Sequence, residues 1–358
     1  MLPQLRAHLR GSALCAFGAA CLCLLGIAVA CSRTEPPPKP AAQIVLYTSM
    51  DDELAKPLIE RFEGESGIRV LMVGDTEATK TTGLVQRLIA EKDRPRCDVW
   101  WSSEVLGTIR LEREGVLAPS PAAPSSPSAA SSPSAPGGGG GRVFEAGGGA
   151  SSSAPAWFSL AARPRVIAFS TSRLGGPGQP LLPASIVDLT NPAHKGRIGI
   201  ARPQFGTTRG HMAALRLALG AAEFEKWLTA LHANGVRLYD GNARVVRAIA
   251  DGEIDIGLTD SDDAAAAKRN GWAIEAVRDA DHPVSTPITV ARVRAGPNAA
   301  DAERFIAFLR SFDVVRALVE GETAAELVPD GAAPGVDWPA AAALVDEALA
   351  TCERVLGR

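Results

Sequence analysis

From Ile44 onward, short β-branched apolar runs alternate with amphipathic segments, and this alternation limits the fold more than any other feature of the chain. "IVLYTS" at 44–49 reads as a strand. "DDELAKPLIERFEGESG" at 51–67 opens with acids and sets Leu54, Leu58, Ile59 and Phe62 on one helical face. "IRVLMVG" at 68–74, "TTGLVQRLIAEKD" at 81–93, "CDVWWSS" at 97–103 and "VLGTIRLEREG" at 105–115 repeat the strand–helix order twice more. Strands that are apolar on both faces, separated by helices, predict parallel sheets covered by helices.

The pattern stops at Pro119 and resumes near Trp157. The intervening Pro, Ser, Ala and Gly stretch has little to bury, which predicts a disordered insertion over 119–156. Its five consecutive glycines are not a phosphate loop, because no Gly-Lys-Ser/Thr follows. A second α/β run then reads "WFSLAARPRVIAFS", "GRIGIARP", "GTTRGHMAALRLALG", "AAEFEKWLTALHANG", "VRLYDGN", "ARVVRAIADG" and "EIDIGLTD". "PITVARVR" at 287–294 is a late strand, followed by helices. Two α/β units with a return strand predict two lobes: lobe 1 over 44–166, lobe 2 over 167–283, and a return to lobe 1 with C-terminal helices over 284–358.

The N-terminus indicates the compartment. Arg6 and Arg10 precede an apolar run ending in Ala28-Val29-Ala30-Cys31. This is a secretory signal over 1–30, with Cys31 in the position that bacterial lipoproteins acylate. An uncleaved anchor is the alternative. A proline-rich tether over 31–43 follows. The expected location is the periplasm, with the protein a monomer held at the membrane by lipid. A formal charge of −3 without a basic patch argues against nucleic acid. Once the signal is removed, Cys97 and Cys352 remain besides Cys31, either as a disulfide or as buried thiols.

Ligands of open α/β sheets bind beyond the carboxyl ends of strands. Four such junctions carry polar groups: "YTSMDDE", "WWSSE", "GTTRG" and "TDSDD". The last is the most charged. Asp260, Asp262 and Asp263 fall between a strand and an alanine-rich helix. One or two of them serve as helix-start acids; three point to a ligand as well. The spacing is not an EF-hand, since Ala265 stands where its glycine would be. His194, His211, His232 and His282 lack metal-ligand spacing and read as surface or packing residues. Absence of Gly-x-Ser-x-Gly, His-Glu-x-x-His and Walker motifs argues against an enzyme, although paired carboxylates leave a hydrolase as a distant alternative.

Those junctions, together with "FEGESGIRV", "LEREGVLAP", "GRIGIARPQFGTT", "GNARVVRAIADGEIDIGLTDSDD" and "PITVARV", resemble the extracellular solute-binding proteins of ABC transporters, in particular the periplasmic ferric-ion-binding branch. The resemblance implies a two-lobed type II periplasmic-binding fold, closure around a ligand, and partnership with a permease and an ATPase. It further implies metal ligands at Asp51, Glu104, Asp262 and Asp263, and anion contacts at Thr207, Thr208 and Asn242, with Asp260 replacing a further Asn. The paired tyrosines of that branch are replaced here by Asp262 and Asp263; the chain's two tyrosines, Tyr47 and Tyr239, lie elsewhere. Carboxylates suit hard cations, so iron or another metal ion is the favoured cargo. An organic cation of polyamine type, held by Tyr47 and Trp101 together with the acids, is an alternative. A phosphonate is another.

Overall fold

The computed structural model describes residues 42–75, 82–119, 156–320 and 335–357. The signal segment, Cys31, most of the tether and nearly all of the 119–156 insertion lie outside the described residues.

In lobe 1, β1 (Gln43–Thr48), β2 (Arg69–Gly74) and β3 (Val99–Ser102) run parallel in the order β2-β1-β3. Successive side chains of β1 point to opposite faces. Ile44 and Leu46 pack with Ile59 and Phe62 of α1 (Asp52–Ser66), while Tyr47 packs with Leu84 and Leu88 of α2 (Thr82–Ala90) and Leu111 of α3 (Val105–Arg113). Both sheet faces are therefore covered, as the two-sided apolar strands require.

Strand β4 (Phe158–Ser170) joins the lobes. Residues 158–164 pair antiparallel with the return strand, whereas Arg165 to Ser170 pair with two strands of lobe 2. Pro164, which has no backbone N–H to donate, stands at the changeover.

Lobe 2 contains parallel β5 (Ile198–Ala201), β6 (Arg237–Tyr239) and β7 (Ile256–Asp260). Helix α4 (Gly206–Ala233) is broken at Gly220, whose φ of 76° is accessible mainly to glycine. This break falls where the sequence divides into two amphipathic segments. Helix α5 (Asn242–Ala250) lies close against β7, because a Cβ on Gly257 would stand 2.3 Å from the Val245 side chain. Helix α6 (Ser261–Arg269) leads to β8 (Ile274–Arg278), which pairs antiparallel with β4. Strand β9 (Ser285–Arg292) then returns between β3 and β4.

Helices α7 (Ala299–Leu309) and α8 (Phe312–Glu320) cover lobe 1. Helix α9 (Trp338–Leu356) lies along α4 and also touches α3, through Val105, Ile109, Ala213, Trp338 and Ala341. Cys97 and Cys352 are free, buried thiols in separate cores, so the disulfide alternative is not realised. Burial pushes the Cys352 thiol up to about 12 and the Cys97 thiol higher still. Among the described residues, no helix is long and apolar enough to cross a membrane.

Candidate ligand cleft

The carboxyl ends of β1, β3, β5, β6 and β7 converge on one cavity of about 620 Å³. Asp51 and Ser103 line it from lobe 1, and Arg163 from the joining strand. Thr207, Thr208, Asn242, Asp260, Asp262 and Asp263 line it from lobe 2. Segments up to about 200 residues apart in the chain thus meet because each strand ends on the same side of its sheet.

The three clustered acids have different surroundings. Asp260 precedes α6 but does not cap it with its side chain. Its carboxylate instead accepts from Arg165 Nη1 at 2.7 Å, Thr207 Oγ1 at 2.5 Å and Asn242 Nδ2 at 2.9 Å. Burial acts to raise its pKa, but the charges of Arg165 and Arg163 and the Thr207 hydroxyl outweigh it and hold Asp260 below the usual carboxylate range. Asp262 Oδ2 accepts from Arg163 Nη1 at 2.6 Å. Among the described residues, the side-chain donor to Asp263 is a hydroxyl, Thr259 Oγ1 at 3.0 Å. Burial, then the charges of Asp262 and Asp260, push Asp263 up to about 8. One carboxylate oxygen from each of Asp260, Asp262 and Asp263 lies within 4.8 Å of the others, spacing that suits a metal ion.

Two arginines not identified from the sequence organise this wall. Arg163 and Arg165 are two residues apart on β4 and so share a face. Arg165 is enclosed by Asp260, Thr207, Thr208 and the Nδ1 of His211, to which its Nε donates at 3.4 Å. Burial, then the Arg165 charge, keeps His211 neutral, well below the usual imidazole range. Arg163 donates to Asp262 and, through Nη2, to the Ser103 carbonyl at 3.0 Å. Its Nε is buried without an acceptor among the described residues. Despite burial, the charges of Asp262, Asp260 and Asp51 push its pKa up. The available signal was "RPR" inside an otherwise apolar strand, because a buried charge demands a partner.

Asp51, Thr207, Thr208, Asp260, Asp262 and Asp263, at strand-end junctions, meet at the cavity, and Asn242, named through the resemblance, joins them. The hydroxyls of Thr207 and Thr208 are engaged with Asp260 and Asn242 rather than capping α4. Three expected residues lie elsewhere. Glu104 is 2% exposed, does not line the cavity, and caps α3 by accepting from Leu106 N at 2.7 Å and Gly107 N at 2.8 Å. Its carboxylate is spent on a helix end, which corrects its assignment as a metal ligand. Tyr47 is in the lobe 1 core, donating to Glu91 at 3.0 Å, with burial raising it to about 12. Trp101 is fully buried on the opposite face of the same sheet, and Trp100 is also buried, so no aromatic pair faces the cleft.

Two α/β lobes joined by antiparallel strands, with a charged cavity at the strand ends, make the architecture of a protein that holds a small ligand. The chain belongs to the bacterial extracellular solute-binding proteins, whose family profile matches residues 44–320. A curated relative, the Fe(3+)-binding periplasmic protein of Serratia marcescens, is 25% identical over 217 residues, 60% of this chain and 56% of that one. The match thus spans little more than half of that relative's length. Iron-bound HitA from Pseudomonas aeruginosa shares the fold with a TM-score of 0.66 and 23% identity, over 88% of this chain and 99% of its own. The periplasmic binding protein AfuA from Actinobacillus pleuropneumoniae, with exogenous fructose-6-phosphate bound, shares it at 0.69 and 17% identity, over 88% and 98%.

Proposed function

We propose that this chain captures iron or another hard metal cation in the cleft between its lobes and delivers it to the permease and ATPase of an ABC importer. The observation that carries this reading is the trio of carboxylate oxygens within 4.8 Å of one another on the cavity wall. Asp262 and Asp263 are the assigned cation ligands, with Asp51 contributing from lobe 1. Asp260 anchors the wall through Arg165. The iron-binding relative and the iron-bound structural neighbour favour the same cargo. The proposed lobe boundaries at 166 and 284 are supported by the change of β4 partners between Pro164 and Arg165 and by the start of β9 at Ser285. The protein works in the periplasm as a monomer, tethered through acylated Cys31, and binds its cargo without turnover. Titration with ferric ion and with manganese(II) tests the reading: saturable one-to-one binding of either supports it, and binding of neither removes it.

A second reading is favoured by a specific observation. The Arg163 guanidinium lines the cavity, and α4 and α5 begin there without side-chain caps. Positive charge and helix N-termini suit a phosphate or phosphonate group, and AfuA was obtained with a sugar phosphate. Titration with inorganic phosphate tests this alternative.

A further inference from the structure

The cation reading leaves Arg163 unexplained. Its guanidinium lies inside the cavity wall, Nη1 at 2.6 Å from Asp262 Oδ2 and Nη2 at 3.9 Å from Asp260 Oδ2, with the side chain 5% exposed. That is where positive charge is most needed in an empty cluster of carboxylates. We propose that Arg163 is a resident competitor of the cargo: its guanidinium holds the Asp262 carboxylate that a cation would take, and it must release Asp262 before a metal ion binds there. The inference rests on the cation reading above.

Three observations support it. Asp262 is both a member of the carboxylate group spaced for a metal ion and, through Oδ2, the acceptor of Arg163 Nη1. A guanidinium and a metal ion at one buried carboxylate repel, so each contact weakens the other. Arg163 also holds the Ser103 carbonyl of lobe 1 while gripping Asp262 of lobe 2, so the contact that competes with the cation also links the lobes. Its Nε has no acceptor among the described residues, so one of its donors is unsatisfied and the guanidinium is not fully secured. Only cations whose attraction to the acids exceeds that of the guanidinium enter. Weakly held divalent ions are thereby kept out at concentrations where a trivalent ion still binds.

The inference predicts an affinity gain, the opposite of what removing a cargo ligand would do. Manganese(II) alone and ferric ion supplied as its nitrilotriacetate complex are titrated calorimetrically into wild type, Arg163→Met and Arg163→Lys. Arg163→Met should bind both cations about tenfold or more tightly than wild type, since the buried competitor is gone. Arg163→Lys, which keeps charge but loses the planar fork, should gain less. Should Arg163→Met fold only in the presence of cation, its rescue by manganese supports the inference, and Arg163→Lys still reports the affinity. Ferric binding by wild type with unchanged or weaker affinity in the folded variants overturns the inference and leaves the cation reading standing. No metal binding by any of the three proteins overturns both. Phosphate binding that is lost in Arg163→Met overturns the inference in favour of an anionic cargo.

Discussion

Arg165 and Asp260 are partners twice over. They lie opposite one another in the β4–β7 ladder, and their side chains join at 2.7 Å between Nη1 and Oδ1. The pair sits where the joining strand enters lobe 2, with Thr207 and Asn242 completing the shell around Asp260. A buried ion pair gains little over apolar packing, but removing one partner strands the other charge. Asp260→Asn should therefore destabilise the protein by about 3–5 kcal/mol. Chemical denaturation measures this; a loss below about 1 kcal/mol would mean that Arg165 finds another acceptor.

The empty protein should lose stability as pH rises, on account of Asp263. Its carboxyl is raised to about 8 in the folded state by burial and by Asp262 and Asp260, against about 4 in the unfolded chain. The folded state therefore binds a proton that the unfolded state releases. This contribution is fully present below about pH 4 and is lost progressively as pH rises through about 8. Asp263→Asn cannot ionise, so its thermal midpoint without ligand should fall less than that of wild type between about pH 5 and pH 9. Parallel profiles for the two proteins would contradict the assignment.

Glu104 should affect stability and not binding. Its two bonds to the amides of Leu106 and Gly107 close the start of α3, and it does not line the cavity. Glu104→Ala should lower stability by about 1–2 kcal/mol, the usual effect of losing a helix cap. Ligand affinity of the folded variant should match that of wild type by calorimetry. A large loss of affinity with little change in stability would restore Glu104 to the ligand set.

Cys31 should carry the lipid. Cys31→Ser, made in the full chain, should move the protein from the membrane fraction to the soluble fraction and abolish metabolic labelling with a fatty acid. Retention in the membrane fraction would identify the apolar run before Cys31 as the anchor.

Much of this architecture was legible in the sequence because its strands are apolar on both faces and its helices have one apolar stripe. Even the break of α4 at Gly220 appears as the boundary between two amphipathic segments. The strand-end rule gathered Asp51, Thr207 and the acids near Asp260 without any knowledge of their distances, whereas Asn242 came from the resemblance alone. The same rule failed for Glu104, since a strand-end acid and a helix cap have the same sequence signature. It also failed for Trp101: alternation showed that the two tryptophans face opposite ways, but not that helices cover both faces of the sheet. Arg163 and Arg165 were hidden for a different reason. Their partners Asp262 and Asp260 lie nearly a hundred positions away, and only the antiparallel crossing of β4 and β7 brings them together.

The central claim is that Asp262 and Asp263 hold a metal cation in the cleft. Native mass spectrometry of protein purified without chelators tests it most directly, applied to wild type, Asp262→Asn and Asp263→Asn with folding checked by circular dichroism. The account predicts a mass increment of one iron or other hard metal ion on wild type, lost or strongly reduced in both variants. Metal retained by both folded variants, or a phosphorylated organic mass in place of metal on wild type, would contradict it.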